Sequence, residues 1–117
     1  VVLNNLAWVR YELDQRGAVE LARRAYQMAP NSAAIGDTLG WILVRDGAFG
    51  EGLKLLYAAA DLAPENGDIA YHLAFALNET GKPAEAAELL KRTLEKEIAE
   101  QNFTERDKAQ ALLSKLQ

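Results

Sequence analysis

Cysteine is absent from the 117 residues, so no disulfide and no thiolate-held metal can form. Histidine occurs once, as His72, and its neighbours Tyr71 and Leu73 supply no second ligand at helical spacing, so neither a zinc site nor a nucleophile–base triad is expected. No apolar run approaches the roughly 20 residues that span a bilayer, and nothing near Val1 has the charged start and apolar stretch of a signal segment, so no membrane insertion is expected. Positive charge is also scarce. The net charge is −4, and the basic pairs Arg23-Arg24 and Lys91-Arg92 are too short to track a phosphate backbone, so no nucleic-acid partner is expected. With only three prolines, and with Ala and Leu prominent in a half-hydrophobic composition, ordered helix is favoured over disorder.

What is present is periodic. A shift of 34 places lays Ala25 on Ala59, Met28 on Leu62, Ala29 on Ala63 and Pro30 on Pro64. The same shift carries Leu39 to Leu73, Gly40 to Ala74, Leu43 to Leu77, Gly47 to Gly81 and Leu56 to Leu90. Toward the start the match returns at 33 places, pairing Leu6 with Leu39, Ala7 with Gly40 and Trp8 with Trp41, so one loop residue is missing near Leu13-Asp14-Gln15.

Each unit reads as two helices. Leu53, Leu56, Ala60 and Ala63 form a 3.6-period stripe on a second helix. Gly47 and Gly81 stop the first helices in a left-handed conformation, Pro83 suits a first helical turn, and Ser32 and Asn66 are N-caps after Pro30 and Pro64. Gly40, Ala74, Ala25 and Ala59 are small where helices must approach closely.

The run Leu39-Gly40, Gly47, Phe49, Gly52, Leu56, Ala59 and Pro64 resembles the tetratricopeptide repeat. A further unit resembles it through Leu73-Ala74, Gly81, Ala86 and Leu90, with Thr93 and Ile98 replacing the usual alanine and proline, as suits a last repeat. The likeness covers about residues 1 to 98. It implies an all-α fold, a right-handed α-solenoid of about three helix pairs: repeats at 1–31, 32–65 and 66–101, then a capping helix at 102–117. In that helix Thr104 is expected to act as N-cap with Asp107, and Ala109, Leu112, Leu113 and Leu116 form the apolar stripe. The phrases Leu3-Asn4-Asn5-Leu6-Ala7-Trp8 and Asp37-Thr38-Leu39-Gly40-Trp41 also resemble C-terminal repeats of bacterial tetratricopeptide lipoproteins of exopolysaccharide and surface-protein sorting systems, which implies an envelope or periplasmic setting; the cytoplasm is the alternative. The chain opens inside an apolar helical pattern and without methionine, as a piece of something longer would.

The resemblance puts the first helix of each pair on a concave wall, and therefore a groove of Asn4, Trp8 and Tyr11, then Asp37, Trp41 and Arg45, then Tyr71, Phe75 and Asn78. Exposed aromatic rings there would anchor a protein or peptide. The lysine, arginine and asparagine clamp by which some family members hold a carboxylate tail is missing, which favours a neutral or apolar extended segment. The competing readings are aromatics buried as core, a plain structural spacer, a homodimer formed by burying bare apolar surface, and stacking on polysaccharide. No catalysis and no cofactor are expected. Gly47-Ala48-Phe49-Gly50-Glu51-Gly52 lacks the strand and spacing of a phosphate loop, and Glu85 with Glu88 sits among Lys82 and Lys91 as solvated surface charge.

Overall fold

The computed structural model describes residues 15–117. Every regular element among them is helical: α1 (Gln15–Met28), α2 (Ala33–Arg45), α3 (Phe49–Leu62), α4 (Gly67–Glu79), α5 (Pro83–Glu95), a 3₁₀ turn (Glu100–Asn102) and α6 (Arg106–Leu116). The shortened turn expected at Leu13-Asp14-Gln15 falls at and before the start of this range. Asn4, Trp8 and Tyr11 lie outside the described residues. The chain divides into two compact units, residues 1–62 and 63–117.

In the first unit α2 packs on both α1 and α3. Helix α2 begins where the Ser32 hydroxyl accepts the Ile35 N–H at 3.2 Å. It ends at Gly47, whose φ of 91° opens the left-handed turn that lets Ala48 N–H reach back to the Leu43 carbonyl at 2.8 Å. The α2 and α3 backbones touch through two glycines. A Cβ on Gly40 would lie 2.9 Å from Leu56 Cγ, and one on Gly52 would lie 2.8 Å from the Gly40 carbonyl oxygen. The core of this unit joins Ala18 and Ala22 of α1 to Leu39, Ile42 and Leu43 of α2, with Val19, Leu21, Tyr26 and Leu55 packed around them.

The second unit repeats the plan and adds a lid. Asn66 Oδ1 accepts the Ile69 N–H at 3.0 Å, Gly81 takes φ 81°, and Pro83 opens α5. Ala74 and Ala86 are wholly buried where α4 meets α5, at the positions that Gly40 and Gly52 hold 34 residues earlier. Thr93, buried in place of the usual alanine, satisfies its hydroxyl by donating to the Leu89 carbonyl at 2.7 Å. Helix α6 lies on α5 and α4 and buries Ala109 and Leu113, with Leu112 and Leu116 half-buried.

The start of α6 departs from the sequence expectation. Thr104 does not cap the helix: its hydroxyl donates to Asp68 Oδ2 at 2.8 Å, and the Glu105 N–H donates to Asp68 Oδ1 at 2.7 Å. The residues that lead into α6 are thus tied to α4. A carboxylate held by the fold outcompetes a hydroxyl that would have to order its own loop.

Candidate functional site

On α2 the positions Asp37, Trp41 and Arg45 recur every four residues and share one face. Helix α2 carries almost no polar stripe. Ile35, Gly36 and Thr38 through Val44 are all buried, which leaves Asp37 half-buried and Arg45 exposed. A helix apolar on every side is covered on every side, and Trp41 follows that rule at 6% exposure. Arg45 reaches back over its ring, with the guanidinium carbon 5.3 Å from the centroid.

On α4 the corresponding face carries Tyr71, Phe75 and Asn78. Tyr71 is 8% exposed, and Phe75 and Asn78 are half-buried. The expectation of openly exposed aromatic rings is therefore corrected for both Trp41 and Tyr71. Their edges belong to the packed interior, and what solvent meets on these faces is Arg45 with parts of Asp37, Phe75 and Asn78. Both rings sit on helices whose neighbouring positions are nearly all buried as well.

His72 is buried on α4 beside Tyr71, with ring centroids 5.7 Å apart, and its Nε2 lies 3.9 Å from Glu105 Oε2 of α6. Among the described residues no three His, Cys, Asp or Glu side chains gather as a metal set. His72 belongs with Asp68 and Phe103 in the joint that seats α6. The Phe103 ring is 4% exposed and lies flat against Gly67, where an added Cβ would come within 2.4 Å of the ring. Arg106 lies over the ring with its guanidinium carbon 5.2 Å from the centroid and donates to the Leu94 carbonyl at 3.0 Å.

The phosphate-loop look-alike resolves into the first turns of α3, after the left-handed Gly47. Its Glu51 forms a two-pronged ion pair with Arg23 of α1, Nη1 to Oε2 and Nη2 to Oε1, the latter at 2.9 Å. Hydrogen bonds from Arg23 hold the Glu51 carboxyl below the usual carboxylate range, and the same bonds raise the Arg23 guanidinium. Beneath the pair lies a pocket of about 170 Å³ lined by Arg23, Tyr26, Gln27, Leu39, Glu51 and Leu55. Sequence reading missed both this pair and the Asp68 joint. Each links residues 28 or more positions apart, and the charges involved look like any others on a solvated helix face.

The sequence model described as tetratricopeptide repeat matches residues 43–116, well over half of the chain. No curated protein matches in sequence. Among solved structures, the Yersinia enterocolitica type III secretion chaperone SycD in complex with a peptide of the translocator YopD superposes with a TM-score of 0.82 at 18% identity, covering 97% of this chain and 88% of that one. The TPR2B-domain:pHsp70 complex of yeast Sti1 gives 0.82 at 19%, covering 99% and 97%. A Thermobaculum terrenum O-GlcNAc transferase mutant gives 0.83 at 21%, covering 98% of this chain but 21% of the enzyme chain. At these identities the likeness is one of fold.

Proposed function

Because the chain belongs to the tetratricopeptide repeat family, we propose that it is a non-enzymatic scaffold that holds a peptide or protein segment on the faces of its first helices. The observation that carries this reading is the recurrence, 34 residues apart, of a face built on the same plan. Asp37 and Trp41 on α2 correspond to Tyr71 and Phe75 on α4, and Arg45 at the solvent edge corresponds to Glu79, beside Asn78. Support also comes from two relatives of like fold that are complexes, SycD with a YopD peptide and the TPR2B domain with pHsp70. The finer reading, complex assembly in the bacterial envelope, rests on the sequence phrases around Trp8 and Trp41. In either setting the ligand is a neutral or apolar extended segment, because the α4 face named here carries no cation and the one on the α2 face, Arg45, is already stacked on Trp41.

Burial decides how to test it. Truncating Trp41 would remove core packing at a cost of about 3–5 kcal/mol, so lost binding would report unfolding as much as lost contact. Arg45→Glu and Asn78→Ala change the accessible edge instead. With peptides selected on the unaltered chain, the double variant should keep its helical melt and bind at least about tenfold more weakly, as loss of an edge hot spot implies. Unchanged affinity in a folded double variant would move the binding face elsewhere.

A further inference from the structure

The pocket beneath the Arg23–Glu51 pair is distinct from the faces proposed above. Its floor, Leu39, lies roughly half a turn around α2 from Asp37 and Trp41. The floor is core: Leu39 is 2% exposed and belongs to the cluster on which Leu55 and Tyr26 pack. One wall is braced, because the Tyr26 ring stands where a Cβ on Gly36 would meet it at 3.5 Å. The opening is framed by charges that satisfy each other, with the Arg23 guanidinium and Glu51 carboxylate joined across α1 and α3 at both prongs and the Gln27 amide beside them.

These features select an occupant by size and charge. An apolar cavity of roughly 150 Å³ lodges one benzene-sized group, and the present volume of about 170 Å³ matches a single side chain rather than a helix. An incoming carboxylate would have to take Arg23 from Glu51, and an incoming ammonium would have to take Glu51 from Arg23. Either exchange gives up a two-pronged pair only to make another, while the charged group must still be brought over the apolar floor of Leu39 and Leu55. An uncharged apolar group leaves the pair intact, gains contact with Leu39, Leu55 and the Tyr26 ring, and leaves the Gln27 amide for an adjoining peptide group. We propose that this pocket is a second recognition site, taking one uncharged apolar side chain, leucine or methionine in size, from a partner polypeptide.

The test uses the full chain with methyl-labelled leucine and three capped residues as probes: N-acetyl methylamides of leucine, aspartate and lysine. The leucine probe should shift the Leu39 and Leu55 methyl resonances saturably, and the aspartate and lysine probes should bind about tenfold more weakly or less. Leu55→Phe, which fills the wall, should abolish the Leu39 methyl shift. Should that variant fail to fold, Glu51→Gln serves instead: freeing Arg23 should turn the preference toward the aspartate probe while the chain stays folded and helical. Equal response to all three probes, or a preference unmoved by Glu51→Gln, overturns the proposal. So does reproduction of the leucine-probe shifts by raising protein concentration alone, which would make a second copy the occupant. Arg45→Glu should leave all these titrations unchanged, so failure here and failure of the first-helix reading are separable.

Discussion

At the residue scale, glycine gives the sharpest test of the packing, because the same substitution should act with opposite signs two positions apart. Gly50 and Gly52 both lie in α3. A Cβ at Gly50 meets nothing within 4 Å, whereas one at Gly52 would stand 2.6 Å from Val44 Cγ2 and 2.8 Å from the Gly40 oxygen. Helix propensity favours alanine over glycine by about 1 kcal/mol at either position. Gly50→Ala should therefore raise stability by roughly 0.5–1 kcal/mol. At Gly52 the overpacking penalty of about 1–3 kcal/mol exceeds that gain, so Gly52→Ala should lower it. Chemical denaturation of the two variants reads both signs, and a destabilised Gly50→Ala would contradict the helix placement. Asp68 offers a second test. It accepts hydrogen bonds from both Thr104 and the Glu105 N–H, and charged acceptors are worth about 1.5–3 kcal/mol each before solvent competition. Asp68→Ala should destabilise the chain by about 2 kcal/mol, and Thr104→Val, which removes one of the two bonds, by less. Equal losses would show that the hydroxyl carries the joint.

Helices and their joints make up the next scale, and here the legible and illegible parts of the sequence divide cleanly by distance along the chain. Caps and stops are local chemistry. Ser32, Asn66, Gly47, Gly81 and Pro83 do what their side chains or their missing Cβ dictate within five residues, so sequence alone placed them. Thr104 obeys no such local rule, because Asp68, 36 positions away, reaches it first. The exposure of Trp41 and Tyr71 was misjudged for a related reason. Position on a helix face can be read from periodicity, but depth depends on how closely neighbouring helices approach, and small residues such as Gly40 and Ala74 let them close in. The Arg23–Glu51 pair joins two helices in the same non-local way and carries a pH signature. Its carboxylate is depressed in the folded chain, so the stabilisation is full above the unfolded value of about 4.3 and disappears as pH falls through the lower folded value. Both side chains are more than a third exposed, 40% for Arg23 and 47% for Glu51, so the effect should stay below about 1 kcal/mol. Melts of the parent and Glu51→Gln should differ at pH 7 and converge at acid pH, and a difference that persists there would place the cost in packing instead.

For the molecule as a whole, charge and recurrence together limit the kind of ligand the repeats can hold. The chain carries 17 acidic against 13 basic residues, for a net charge of −4. Six of the described basic side chains are engaged: Arg23 with Glu51, Arg92 with Glu88, Lys96 with Glu65, Lys108 with Glu105, Arg106 with the Leu94 carbonyl and the Phe103 ring, and Arg45 with Trp41. A scaffold with this charge balance does not steer an acidic peptide from a distance, and Arg45, the one cation on the first-helix faces, is already stacked on Trp41. Association with its segment should then depend on apolar contact and main-chain hydrogen bonds, neither of which is strongly screened by salt. Between 50 and 200 mM salt the affinity for a selected peptide should change by less than about threefold, because screening acts chiefly on exposed charges separated by more than a Debye length. Calorimetry across that range measures it, together with the negative heat-capacity change that apolar burial produces. A steep loss of affinity with salt would mean that Arg45 leaves Trp41 to pair with an acidic ligand, and the segment held by the first helices would then be a charged one.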